Sequence, residues 1–377
     1  MKIRVERDVL AEAVAWAARS LPTRPPVPVL AGLMLEAHDD ELALAGFDYE
    51  VSARGAVPAV VDEPGRVLLS GRLLADISRS LPNRPVELQS TAGDQRVEVS
   101  CGSSRFVLQT LPVDEYPTLP DMPTVAGRVG RTEFAGAVGQ VAVAAGRDDT
   151  LPVLTGVRIE IEGARITMAA TDRYRLAVRE LDWFPDQPGL EATSLVPART
   201  LAETAKSMTG DDVVLALASG TTGEGLMGFE SGGRRTTTRL LDGEFPKYRS
   251  LLPSDSSTTT SVETAAFVEA VKRVALVAER NTPMRLSFTG DGARLEAGTG
   301  EEATASEETE ARTDGDDITI AFNPTYLLDG LTAVEAPVTR FAFTTPTKPA
   351  VLTGIASPDE QPDGRYRYLL MPVRLSG

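Results

Sequence analysis

The strongest constraint on this chain is that one pattern occurs in it three times. Val29-Leu30-Ala31-Gly32 opens three short runs of alternating apolar and polar residues, with turns at His38–Glu41 and at Phe47-Asp48. About 124 residues later Val153-Leu154-Thr155-Gly156 opens the same plan, and Thr171-Asp172 takes the place of Phe47-Asp48. A weaker third copy begins near Thr282. Alternation such as Val157, Ile159, Ile161 is the period of a strand buried on one face. Repetition at this length predicts like units set in series rather than one large core.

The flanks repeat as well. A helix is expected before each triplet of strands, over Arg7–Ser20, Glu133–Gly146 and Glu263–Arg280. In the third, Phe267, Val271, Val274 and Ala278 fall along one face. A second helix is expected after each triplet, over Arg72–Leu81, Ala198–Met208 and Pro324–Val334. The first two units end alike, in Glu115-Tyr116-Pro117 and Glu244-Phe245-Pro246, each followed by a further Leu-Pro. Breaker-rich stretches at Asp121–Thr124 and Pro253–Thr260 read as linkers. The expectation is an α+β protein of three repeated domains, 1–124, 125–253 and 254–377, each with two helices on antiparallel sheet.

Composition narrows the function. With 38 Lys and Arg against 54 Asp and Glu the net charge is −16, and every third of the chain is acidic. No basic module is set apart to displace counterions from phosphates, so any DNA function must work with weak direct affinity. No apolar run approaches the roughly 20 residues of a membrane span, and the charged start MKIRVERDVL has no signal-peptide core. The expectation is a soluble, cytoplasmic protein. One cysteine, Cys101, excludes an internal disulfide framework. The single histidine, His38, stands in a turn without a positioned partner. G-x-x-x-x-G-K-[ST], G-x-S-x-G and H-E-x-x-H are all absent. The acidic run from Glu301 to Glu310 lacks the spacing of a calcium loop and reads as a solvated or partner-facing surface. Asp172, Arg173 and Arg175 sit in a repeated strand turn, where a structural or binding role fits better than catalysis. Neither metal nor cofactor is expected, which leaves a scaffold, a ring or a binding platform.

Local motifs then point to one family. Tyr368-Leu369-Leu370-Met371-Pro372-Val373-Arg374-Leu375 resembles the carboxyl-terminal signature of bacterial DNA sliding clamps, the beta subunits of DNA polymerase III. Ala170-Thr171-Asp172-Arg173-Tyr174-Arg175-Leu176-Ala177 resembles their central motif. Thr23-Arg24-Pro25 with Pro28-Val29-Leu30 resembles their first loop, and Phe245-Pro246-Lys247-Tyr248 a fourth motif. These stand in all three units, in order.

The resemblance implies a head-to-tail homodimer closed into a ring around duplex DNA, which tethers the DNA polymerase III alpha subunit, the clamp loader, other polymerases and repair proteins. Such a ring reconciles DNA with an acidic chain, because topology rather than phosphate contact holds the duplex. It implies a groove for short partner peptides formed by Leu154, Thr171, Arg173, Tyr174, Arg175, Leu176, Pro246, Ser250 and Leu251 with Asn323, Tyr326, Leu369, Leu370, Met371, Pro372, Val373 and Arg374. Basic residues implied to face DNA are Arg24, Arg79, Arg84, Arg147, Arg199, Lys206, Lys272 and Arg273. The ring interface would set Ile77, Phe106 and Leu108 near Leu276, and Arg96 and Arg105 opposite Glu301, Glu302, Glu307 and Glu308. The competing expectation is a non-ring scaffold of three repeated domains that binds proteins without DNA.

Overall fold

The structure, a computed structural model, describes residues 1–377 apart from 92, 94, 219–224, 280–281, 299–301 and 375–377. Among the described residues the helices are α1 (Arg7–Ala17), α2 (Gly71–Ser80), α3 (Arg131–Ala142), α4 (Ala198–Ser207), α5 (Thr264–Ala275) and α6 (Pro324–Ala333). Each stands where the pattern predicts one, but the first helix of every pair ends early. After Ala17 the chain tightens into a 3-10 turn over Ala18–Ser20. Beyond α3 the Gly146 amide donates to the Leu154 carbonyl at 2.7 Å, which commits that stretch to a loop. α5 is capped at Leu276, and position 280, where the helix was expected to end, lies outside the described residues.

The repeat is visible at the level of single hydrogen bonds. Strands Gly32–His38, Glu41–Phe47 and Val51–Pro58 correspond to Gly156–Glu162, Arg165–Thr171 and Arg175–Asp182, and a 3-10 turn precedes each set, Pro28–Ala31 and Pro152–Thr155. The second turn of each set is closed by an aspartate: Asp48 accepts from the Glu50 and Val51 amides at 2.9 and 2.6 Å, Asp172 from the Tyr174 and Arg175 amides at 3.0 and 3.1 Å. The residue after each aspartate is left-handed, Tyr49 at φ 74° and Arg173 at φ 79°. The third copy has strands Met284–Thr289, Gly292–Ala297 and Ala305–Thr309, and the last of these carries Glu307 and Glu308.

By its contacts the chain divides into two units whose boundary runs through the second repeat. The first comprises Met1–Arg131, Phe184–Asp186 and Glu203–Leu240; the second comprises Thr132–Trp183, Gln187–Ala202 and Leu241–Gly377. In the first, a 14-stranded sheet packs with α1 and α2 around Leu10, Val14, Leu33, Leu44, Leu74 and Leu88. The second holds a nine-stranded and a four-stranded sheet. Phe267, Phe288, Phe341 and Phe343 cluster there with ring centroids 5.4–6.3 Å apart. Each unit contains one copy of the same joint, in which a late strand of one repeat pairs antiparallel with the third strand of the repeat before it. Arg234–Arg239 joins Val51–Pro58, and Tyr366–Leu370 joins Arg175–Asp182. Hydrogen bonding therefore continues across repeat boundaries, which is why contacts do not part the chain at the linkers.

Candidate functional site

At the second of these joints three distant pieces of sequence meet. Leu370 and Leu369 pair with Arg175 and Leu176. Past the strand the Met371 amide donates to the Tyr174 carbonyl at 2.9 Å, and the Val373 amide to the Ala321 carbonyl at 2.8 Å. Met371-Pro372-Val373 is thus strung between the Asp172 turn and the start of α6. There Asn323 caps the helix, its side chain accepting from the Thr325 and Tyr326 amides at 2.9 and 3.2 Å, and Pro324 occupies the first turn. The cap fixes where Tyr326 stands.

Arg175 ties the pieces together. Its guanidinium lies 4.3 Å from the centre of the Tyr326 ring, while Tyr326 stacks on Tyr174 at 6.2 Å. Nε donates to Asp172 at 3.0 Å, and Nη1 donates to Asp329 and, at 3.4 Å, to the Tyr368 hydroxyl. Tyr368 in turn donates to the Tyr326 carbonyl at 2.8 Å. Burial works to lower the Arg175 pKa, but Tyr368, Asp329 and Asp172 outweigh it and raise the value, so the charge is permanent. Burial is also the main reason the Tyr368 phenol is pushed upward.

Beside this network is a cavity of about 580 Å³ whose lining includes Arg147, Leu151, Leu154, Arg173, Tyr174 and Tyr326. Tyr174 is 56% exposed and Met371 40%, while Arg175 is only 4% exposed. At the rim the Asp148 carboxyl is held below its usual range by hydrogen bonds from the Thr150 hydroxyl and amide.

The residues attributed to the groove by resemblance fall into two layers. Leu154, Arg173, Tyr174, Arg175 and Tyr326 line the cavity. Leu251, Met371 and Val373 are exposed apolar side chains, with Ser250 and Arg374 exposed and Pro246 and Pro372 half-buried. Beneath them Thr171 is buried and donates to the Arg175 carbonyl at 2.7 Å. Leu176 and Leu369 belong to a core cluster with Phe245 and Tyr248, and Leu370 is fully buried. Asp329 and Tyr368 were not among the expected site residues. Asp329 lies three positions after Tyr326 on α6, a spacing that puts both on one helix face, but only the fold discloses their common partner.

The residues expected to face DNA are all exposed. Lys272 pairs with Glu269 at 2.8 Å, and Arg273 donates through Nε to Glu307 at 3.0 Å. Arg273 therefore shares a site with a residue expected at the ring interface. Among the described residues Arg24, Arg79, Arg84, Arg147 and Lys206 form no ion pair, whereas Arg199 has a partner. Of the interface residues, Ile77 and Leu108 are buried in the first unit's own core. Phe106 and Leu276 are exposed, Leu276 to 84%. Arg96 and Glu302 are exposed, Arg105 pairs with Glu98 at 2.5 Å, Glu308 lies within 4.0 Å of Arg294, and Glu301 lies outside the described residues.

Among the described residues no cluster of His, Cys, Asp or Glu could hold a metal ion. The site offers aromatic and aliphatic side-chain surface beside a few fixed polar groups, which suits an extended peptide with apolar anchors.

Three family models match in succession: the N-terminal domain of the DNA polymerase III beta subunit over residues 1–120, its central domain over 128–247 and its C-terminal domain over 249–374. The beta sliding clamp of Streptomyces coelicolor is 64% identical over 378 residues and covers 100% of both chains. The beta sliding clamp homolog GriR of Streptomyces muensis is 48% identical over 99% of both. Among solved structures, the Bacillus subtilis DNA polymerase sliding clamp superimposes with a TM-score of 0.89 at 26% identity over 100% of both chains. The Pseudomonas aeruginosa clamp bound to griselimycin does so with a TM-score of 0.89 at 27% identity, also over 100% of both.

Proposed function

The chain belongs to the DNA polymerase III beta subunit family, and from that premise we propose how it works. It is a sliding clamp, the processivity factor of DNA replication and a non-catalytic subunit: it encircles duplex DNA and tethers the enzymes that act on it. The observation that carries this reading is 64% identity to a beta sliding clamp along the full length of both chains.

We infer further that the working form is a head-to-tail homodimer. Two unpaired strand edges support it. Strand Ser104–Leu111 pairs fully with Arg96–Cys101 on one side, but on the other only Thr110 and Leu111 have partners among the described residues. Strand Ala305–Thr309 is the last of its four-stranded sheet. Unpaired edges invite a partner strand. The first carries Phe106 and Arg105; the second carries Glu307 and Glu308, with Leu276 exposed at the end of α5. Joining them across protomers gives a heterologous contact, which closes into a ring when its rotations sum to a full turn.

The groove at Tyr174, Tyr326 and Met371 is then the peptide site for the polymerase alpha subunit, the clamp loader and repair proteins. Its exposed Met371 can repack against different anchors. Of the eight basic residues, Arg24, Arg79, Arg84, Arg147 and Lys206 form no ion pair among the described residues and are the first candidates to face DNA, beside Arg199, Lys272 and Arg273. The place of work is the cytoplasm; among the described residues no helix is long and apolar enough to cross a membrane.

Topology provides the test. The protein is loaded on nicked circular plasmid with a clamp loader and ATP, the complex isolated in high salt, and the plasmid linearised. Retention that survives salt and vanishes on cutting is expected, because phosphate contacts alone weaken steeply with salt. Retention indifferent to cutting would overturn enclosure.

A further inference from the structure

The second repeat uses its own chain to cover part of one face of its sheet. Tyr248 is buried in a cluster with Ala169, Leu176 and Val178, and its hydroxyl donates to Glu160 at 2.8 Å. The short turn Tyr248–Leu251 holds it there, and Arg249 stacks on its ring at 5.1 Å while pairing with Glu160.

The first repeat has the corresponding floor, with Arg54 in the place of Val178, under a shorter cover. Strand pairing puts Glu36, Ala45 and Arg54 in the register of Glu160, Ala169 and Val178. The covering segment is shorter, since three positions separate Pro117 from Pro120 whereas seven separate Pro246 from Pro253, and Tyr116, Pro117, Thr118 and Leu119 line the site without filling it. A cavity of about 760 Å³ is open there, lined by Met34, Glu36, Ala45, Arg54, Tyr116 and Arg235 among others.

One of its charges also lacks an ion-pair partner among the described residues. Arg54 and Arg235 stand directly opposite each other on paired strands, an arrangement that is unfavourable without an anion. Arg235 is met by Glu230 at 2.9 Å, but among the described residues Arg54 donates only to the Leu119 carbonyl, at 3.2 Å. The lining as a whole balances, Arg54, Arg66 and Arg235 against Glu36, Asp114 and Glu230, but Arg54 has no carboxylate partner among the described residues.

We propose that this open trough docks a partner-protein segment that presents a tyrosine beside an acidic residue. The phenol takes the place Tyr248 fills in the second repeat, its hydroxyl donating to Glu36, and the neighbouring carboxylate meets Arg54. The site is separate from the groove at Tyr174 and Met371 and does not depend on it.

The test uses the full chain with ¹³C-labelled methionine methyls and two probes, N-acetyl-Glu-Tyr-amide and N-acetyl-Glu-Ala-amide. The Met34 signal shifts saturably with the tyrosine probe and not with the alanine one. Arg54→Ala weakens the response roughly twofold to fivefold, the range for an exposed ion pair. Ala45→Met fills the floor and abolishes it, while an unshifted signal from Met227, buried in the same unit, reports an intact fold. The proposal falls if Met34 does not move at about 10 mM probe, or if the alanine probe moves it equally. It also falls if Arg54→Ala leaves the response unchanged, or if only Met371 responds, which would assign the phenol to the groove.

Discussion

Arg175 is the residue on which the groove turns. A buried guanidinium is tolerated only when its donors and charge are met, and here Asp172, Asp329, Tyr368 and the Tyr326 ring together do so. Arg175→Met would leave two carboxylates facing each other at the joint. We expect a loss of about 3 kcal/mol in urea unfolding, and weaker binding of polymerase-derived peptides because Tyr326 loses its support. Arg175→Lys should rescue little, since an ammonium cannot reproduce the planar fork. A lysine variant with wild-type stability and affinity would show that charge alone suffices. Neighbouring Arg173 shows the opposite economy: it keeps a left-handed backbone that costs a non-glycine residue of order 1 kcal/mol, because the Asp172 hydrogen bonds define that turn.

Among elements, the turn Tyr248–Leu251 depends on one carboxylate. Burial works to raise the Glu160 pKa, but hydrogen bonds from Tyr248, Arg158 and Arg249 outweigh it and hold the carboxyl below the usual range. A depressed carboxylate adds stability at pH above its unfolded value, and that stability is lost as pH falls through its folded value. Unfolding midpoints of the wild type should therefore drop as pH falls below the ordinary glutamate value of about 4.3. Glu160→Gln should start lower at neutral pH and fall less steeply below that value. Parallel pH profiles would remove Glu160 from the account of acid stability. Edge strands are the other decisive elements. Leu108 and Phe106 alternate with outward residues on the same strand, yet Leu108 is core and Phe106 is half open, so only Phe106 can be changed without disturbing the unit that carries it.

For the whole molecule, enclosure and dimerisation stand or fall together. Phe106→Asp and Leu276→Asp each place a charge at the inferred contact while leaving the cores untouched. We expect either to give monomers in ultracentrifugation with unchanged circular dichroism, and to abolish salt-resistant retention on circular DNA. A stable dimer in both variants would move the interface elsewhere. The acidic balance fits this arrangement: a clamp held by topology needs few phosphate contacts and gains from a surface that repels stray nucleic acid.

Much of this was legible in the chain itself. The repeats, the six helix positions and the Asp48 and Asp172 turns follow from local periodicity and turn chemistry, which act between residues close in sequence. The motifs around Asp172, Phe245 and Tyr368 identified the family and supplied the residues of the proposed groove. Tertiary structure decided which side chains are surface. Leu176, Leu369, Ile77 and Leu108 are apolar in the sequence just as Met371 and Phe106 are, and only packing separates core from contact. It also decided ion pairs between distant residues, Arg175 with Asp329 and Arg273 with Glu307. It left one trough open where its copy is filled. Local rules specify elements, but burial and charge pairing depend on what the fold brings within a few ångströms, and that distance is not written in sequence spacing.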